Sequence, residues 1–408
     1  MSPDSSSGGG GFFPGVFGDL LKMMRTDAAI QWDLAVQFAQ SVAADATSEA
    51  NVEPAERMEL EQLVSLAELH VADVTGMTLN PSGKHLSVLA TSRADWARRS
   101  LQSWRPLIQD IASAIAPARP AQDSVEPSTD LSEDEDDEEK FHAFFAQWAT
   151  AVTPSMIAIQ VGSAIGHLAQ RCLGQYELPL PRTTSDEIAV VPANIRSFAE
   201  DWSLSFDDIA IWSIARDVAI NAILSRPHVA ARLSSLLVAH AQTIRPDPSA
   251  LEEMFGRAGQ SDMSDVAGLA GLLGNPSALR ELTETDENIR VRAELAALSA
   301  ALDGYADWVA GSVSPRLSGA SSRVREAMRR HRIERGDEAR SAEALFGLSL
   351  DQEGLDRGEA FVLGVLERGG ESELAKLWVV EANLPTPAEV DAPGLWIERV
   401  NLLPLDPA

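Results

Sequence analysis

The chain has 408 residues, 45% of them hydrophobic and 23% charged, a composition that sustains a large buried core in two or three domains. Lys and Arg together number 33 against 61 Asp and Glu, a formal charge of -28, which argues against nucleic acid and anionic membrane as partners because both require cationic patches. The lone Cys172 excludes an internal disulfide framework and a Cys-rich zinc site.

In chain order, residues 1–18 are rich in Ser and Gly and then aromatic, with Phe12, Phe13 and Phe17. Such a segment reads as a flexible tail whose aromatic end tethers it to the body. The start, Met1-Ser2-Pro3-Asp4, has neither a basic nor an apolar leader pattern. No apolar run reaches the ~18 residues of a membrane span. The expected location is the cytoplasm. The lysines are Lys22, Lys84, Lys140 and Lys376, so arginine dominates; with the alanine content this suggests a GC-rich bacterial source.

Residues 19–116 form an N-terminal helical region. Leu60, Leu63, Val64, Ala67 and Val71 recur at spacings of three and four, the mark of one buried helix face. Leu86, Val88 and Leu89 allow one short strand. Residues 117–140 hold three prolines and the unbroken acidic run Glu133 to Glu139. Like charges in a row repel and bury nothing, so this stretch reads as a solvated linker, with an acidic docking tail as the sharper alternative.

Residues 141–400 form a second helical domain, followed by a tail over 401–408. Gly162 and Gly166 stand one helical turn apart and allow close approach of another helix. Glu187 to Val191, bounded by Pro181 and Pro192, reads as a strand. Later helices are expected over Ala230–Ile244, Val291–Ser312, Arg323–Glu334, Glu353–Glu367 and Glu371–Ala382, and an extended segment over Pro385–Gly394.

The most informative helix starts after Ser205, a good N-cap with Asp208 three residues on. From Ile209 to Leu224 it is almost entirely apolar. Its polar members Ser213, Arg216, Asp217 and Asn221 make one stripe about 140° wide, with Ile220 inside it. The stripe faces either solvent or an internal cleft. In the later helix, Asp303 and Asp307 sit at i, i+4, beside the apolar face of Leu295, Leu298, Leu302, Tyr305 and Val309. They read as two solvent-facing carboxylates. Of the seven histidines none forms an i, i+3 or i, i+4 pair. There is no phosphate loop and no nucleophile elbow. Cys172 follows Arg171, which could lower its pKa, but with no partner histidine it reads as a packing residue.

Eight ordered stretches carry a family resemblance: Gly10–Leu21, Ala67–Val74, Ala94–Leu107, Gln160–Arg182, Val191–Trp202, Leu224–Ala231, Val324–Glu334 and Leu384–Trp396. Through them the chain resembles an uncharacterised bacterial zincin-like family of hydrolases or zinc-dependent metalloproteases. One branch of that family is labelled as associated with deazaflavin-coenzyme biosynthesis. The resemblance implies a mainly helical zincin-like fold with a small sheet. It also implies an H-E-x-x-H helix, in which two histidines bind Zn²⁺ and the glutamate activates a metal-bound water.

In the register set by the flanking residues, Arg216 stands at the first histidine, Asp217 at the general-base glutamate and Ile220 at the second histidine. The resemblance puts the third ligand at Asp303 and so turns Asp303 toward Arg216. Arginine has no acceptor and isoleucine no lone pair, so this motif is degenerate. The expectation is a pseudo-metallopeptidase with no metal or cofactor, acting in a binding, regulatory or scaffolding role. The alternative is a hydrolase with altered metal ligands or no zinc. The partner class is a peptide or protein, with the edge of the Glu187–Val191 strand at Ala189 as the place where a peptide would add.

Overall fold

A computed structural model describes residues 30–45, 49, 52–115, 137–244, 285–318, 322–334 and 336–402. The aromatic N-terminal segment, the linker through residue 136 and the last six residues lie outside these.

The elements in chain order are α1 Trp32–Ala44, α2 Pro54–Thr75, β1 Ser87–Ala90, α3 Arg93–Ile115, α4 Asp137–Arg171, β2 Glu187–Val190, α5 Pro192–Trp202, α6 Phe206–Leu224 and α7 Pro227–Thr243. They continue with α8 Asp286–Ser318, α9 Ser322–Ile333, α10 Asp337–Leu345, α11 Gln352–Leu374, two short 3₁₀ turns, α12 Pro387–Asp391 and α13 Pro393–Leu402. The protein is therefore mainly helical, and its described residues hold one two-stranded parallel sheet, in which Ser87 pairs with Glu187 and Ala90 with Val190.

Local chemistry accounts for much of this. The Ser205 hydroxyl accepts from Asp208 N at 3.1 Å, and Asp207 and Asp208 complement the positive end of α6. The α2 stripe of Leu60, Val64, Ala67 and Val71 is fully buried. Leu60, Val64 and Val71 each contribute about 1.5–3 kcal/mol by leaving water, and the single methyl of Ala67 less. Gly162 and Gly166 let α1 lie directly on α4: a Cβ at Gly162 would come within 2.5 Å of the Ala35 carbonyl oxygen, and one at Gly166 within 2.6 Å of Val42 Cβ.

Three expectations change. Residues 385–394 are not extended. Thr386 and Glu389 form a capping box that starts α12, and Pro393 opens α13, which runs to Leu402 and so into the expected tail. The acidic run is not linker to its end, since α4 begins at Asp137. The helix expected over Glu371–Ala382 is instead the last turn of α11, past a break at Gly370 (φ 73°), followed by 3₁₀ turns at Ala375–Trp378 and Glu381–Asn383.

Helix α6 forms the centre. It packs against α2, α8 and β2. Every residue from Ile209 to Leu224 is buried, the four polar ones included. A helix buried on all sides must satisfy its polar stripe from within the protein.

Candidate functional site

The polar stripe of α6 faces two things at once: helix α8 and the segment Leu173–Glu177 that leads from α4 toward β2. Asp217 serves the segment. Its carboxylate accepts the backbone N–H of Gln175 and, at 3.2 Å, that of Tyr176. Asn221 accepts the Tyr176 hydroxyl at 3.0 Å. Gly174 is required here because a Cβ at that position would fall on the Asp217 carboxylate.

Arg216 faces α8. Its guanidinium donates to Asp303 and, through Nε at 3.1 Å, to Asp307, while Nη1 donates to the Tyr176 carbonyl at 2.9 Å. Arg332 of α9 completes the group, donating to Asp307 and standing 3.4 Å from Asp303 Oδ1. The side chains of Arg216 and Asp303 are only 8% and 2% exposed, so this pair lies in a low-dielectric interior, whereas Asp307 is 37% exposed and its upper edge meets water. Asp303 reaches this position because its neighbour Gly304 crosses Gly358 of α11 backbone to backbone; a Cβ at Gly304 would fall on the Gly358 carbonyl.

The electrostatics follow from the geometry. Burial opposes the charge of Arg216, but Asp303 and then Asp307 more than offset it and hold the guanidinium above its ordinary pKa. Burial pushes the Asp217 carboxyl up to about 7, against the pull of Arg216 and the two backbone N–H donors. Tyr176 is pushed up to about 12, chiefly by burial. Cys172 is fully buried and its thiol is raised by desolvation. It is thus a packing residue, and Arg171 does not activate it.

Beside this network lies a cavity of about 20 Å³ bordered by Ser213, Asp217, Glu177, His331 and Arg332. It has room for roughly one water molecule.

The resemblance led from Arg216 to Asp303, and the two are in contact. Asp307, read from the sequence as solvent-facing, also pairs with Arg216. Its i, i+4 spacing from Asp303 was the available signal, since it puts both carboxylates on one face of α8. Arg332 and the Tyr176 carbonyl carried no signal. Ile220 is fully buried and belongs to the hydrophobic core.

The strand-edge expectation is corrected. Only one side of β2 pairs with β1. On the other side Val190 bridges Gly174 in antiparallel fashion, Val191 N donates to Leu173 O at 3.0 Å, and Ala189 N donates to Gln175 Oε1 at 3.1 Å. The chain's own segment occupies the edge where a peptide would add.

The sequence pattern of the zincin-like metallopeptidases matches residues 30–397, nearly the whole of the described chain. The chain belongs to that family. No curated protein matches it. A crystal structure from Chloroflexus aurantiacus, described as "a putative hydrolase with a novel fold", superposes on this zincin-like chain with a TM-score of 0.60. It covers 92% of this chain and 99% of its own at 20% identity, a likeness of fold alone.

The family name implies zinc, and the residues of this chain can be tested against it. Zinc takes three or four lone-pair donors from thiolate, imidazole or carboxylate. Here α6 offers Arg216, whose permanent cation is already ion-paired, and Asp217, whose two oxygens accept backbone N–H groups. Among the described residues no group of three or more His, Cys, Asp and Glu side chains could hold a metal. The donor set of this zincin-like site does not fit zinc.

Proposed function

We propose that this zincin-like protein is non-catalytic and keeps the family's fold as a binding or regulatory protein. The observation that carries this reading is the buried ion pair of Arg216 with Asp303, located where the resemblance expects the metal. A guanidinium supplies one positive charge and a planar fork, which neutralises the carboxylates around it without a metal. The cavity of about 20 Å³ supports the same reading, because ligand pockets run to roughly 300–1,000 Å³.

Elemental analysis of the purified protein tests the proposal. The expected result is no stoichiometric zinc and no peptide cleavage. One zinc per chain that survives mild chelation refutes it. The combined substitution Arg216→His, Asp217→Glu and Ile220→His is expected to restore some zinc affinity. A folded triple variant without zinc affinity shows the assumed register to be wrong.

One observation favours a second reading, a hydrolase that works without zinc. The Asp217 carboxyl lies at about 7, where a general base is most effective. Against it, both Asp217 oxygens hold the Gln175 and Tyr176 amides. Ester or peptide hydrolysis that is insensitive to chelators and lost in Asp217→Asn would establish the second reading over the first.

A further inference from the structure

The start of α7 runs against the ordinary chemistry of a helix beginning. Such ends favour Ser, Thr, Asp or Asn as the cap and acids in the first turn, because the first N–H groups lack partners and the helix dipole is positive there. Helix α6 follows this with Ser205, Asp207 and Asp208. Helix α7, 17 residues long, has Arg226 at its N-cap, then Pro227 and His228; no side chain caps it and its first turn holds no acid. A cation and an imidazole thus stand at an end that is already positive.

The protein does not answer this charge from within. Among the described residues the Arg226 guanidinium makes no ion pair and no hydrogen bond, and its Nε is buried. Burial lowers its pKa, and what opposes the shift is the Tyr305 phenol rather than a carboxylate. The His228 ring is held by the Trp378 backbone, yet its Nε2 is buried without a partner. Trp378 is 1% exposed, and its Nε1–H also lacks an acceptor. Its ring meets that of Tyr305 edge-on at 5.7 Å between centres. The Tyr305 hydroxyl is buried and makes no hydrogen bond among the described residues. Buried donors in proteins are matched almost without exception, and here several lie together where α7 starts, beside α8 and the Ala375–Trp378 turn. Arg182 also lacks a carboxylate, but it lies 4.3 Å from the centre of the Trp104 ring and donates to Ser100 at 3.1 Å. Arg226 has neither substitute. Two carboxylates act on the group, Glu381 on His228 and Glu371 on Tyr305. Both are exposed, so water and salt screen them.

We propose that the start of α7 binds a tetrahedral oxyanion, either inorganic phosphate or the phosphoryl group of a small metabolite. The orphaned groups are donors, so the ligand must be an acceptor. The Arg226 fork suits two of its oxygens. His228 Nε2, Trp378 Nε1 and the Tyr305 hydroxyl remain for the others, which favours four oxygens over the two of a carboxylate. An uncapped helix N-terminus adds to the same preference. Arg226 and His228 are half-buried and so within reach of solvent, while Trp378 and Tyr305 are the buried members. The site lies about 15 Å along α6 from Arg216 and stands whether or not the protein is catalytic.

The test is isothermal titration calorimetry of the full chain with inorganic phosphate, glycerol phosphate and acetate at one ionic strength. One phosphate per chain is expected, with acetate at least about ten-fold weaker. Tighter glycerol phosphate would assign the site to a phosphoryl metabolite and tighter inorganic phosphate to the free anion; both support the proposal. Arg226→Gln should weaken phosphate binding at least about ten-fold, as loss of a charged hydrogen bond implies, and Trp378→Phe should weaken it while keeping the ring. Arg57→Gln, on an exposed arginine of α2, should change nothing. Circular dichroism checks the fold of each variant. An independent readout needs no variant. Burial holds the His228 imidazole below its ordinary pKa, and a bound anion favours the imidazolium, so phosphate should raise that pKa in a histidine NMR titration and sodium chloride should not. The proposal is overturned by the absence of saturable phosphate binding, by equal binding of acetate, by unchanged binding in Arg226→Gln, or by a His228 pKa that phosphate leaves in place.

Discussion

Removing Arg216 exposes how the interior tolerates two buried carboxylates. In Arg216→Ala, Asp303 is left 2% exposed with Arg332 at 3.4 Å as its remaining cation, and the Tyr176 carbonyl loses its donor. An uncompensated buried charge costs on the order of 3–5 kcal/mol. The nearby Arg332 shields Asp303, which moves the expectation to the lower end, about 3 kcal/mol. Asp303→Ala leaves Arg216 with Asp307 and the Tyr176 carbonyl, so its cost should be smaller, about 2 kcal/mol. In the double variant neither charge is stranded, and the loss should fall short of the sum by about 1–3 kcal/mol. The assay is guanidinium chloride denaturation followed by tryptophan fluorescence, with equal slopes required of all four proteins before midpoints are compared. Additivity within about 0.5 kcal/mol would refute the reasoning, because residues that do not share a network add to that accuracy.

Three further outcomes follow from the same geometry. With its pKa at about 7 in the folded protein and about 3.9 unfolded, Asp217 holds a proton that the unfolded chain has released. Its contribution to stability is complete below pH about 4 and is lost as pH rises through about 7, so Asp217→Asn should flatten the melting temperature between those limits; an unchanged slope would refute it. Gly174→Ala drives a methyl group into the Asp217 carboxylate and should cost about 1–3 kcal/mol by denaturant unfolding, a cost that the smaller side chain of Asp217→Ala should partly relieve in the double variant. Ala189→Pro removes the N–H that donates to Gln175 and should destabilise by about 1–3 kcal/mol, whereas a proline tolerated there would mean that β2 has a free edge.

Local rules determined a good part of this protein. Ser205 and Asp208 start α6, the apolar run after them continues it, and the strand at Glu187 is legible between Pro181 and Pro192 because proline interrupts both ladders and helices. The Gly162 and Gly166 pair announced a close helix contact without saying with which helix. A local signal that was missed, Thr386 with Glu389, lay in a proline-rich stretch that reads as extended, yet a proline in the first turn of a helix is tolerated.

Tertiary structure alone decided the character of the site. Periodicity places Ser213, Arg216, Asp217 and Asn221 on one side of α6, but an axis and an angle do not say whether that side meets water or protein. Packing of α2, α8 and β2 around the helix settled it, and burial then turned four polar residues into a set that must be matched partner by partner. The partners of Arg216 are a backbone carbonyl at Tyr176 and two carboxylates on α8, which an arginine on α9 shares. A carbonyl has no residue type to read, and Arg332 lies more than a hundred residues from Arg216, so neither leaves a pattern in the sequence. The edge of β2 was decided in the same way: a strand's composition is the same whether its second side is open or covered, and only the path of Leu173–Tyr176 across it closed that edge.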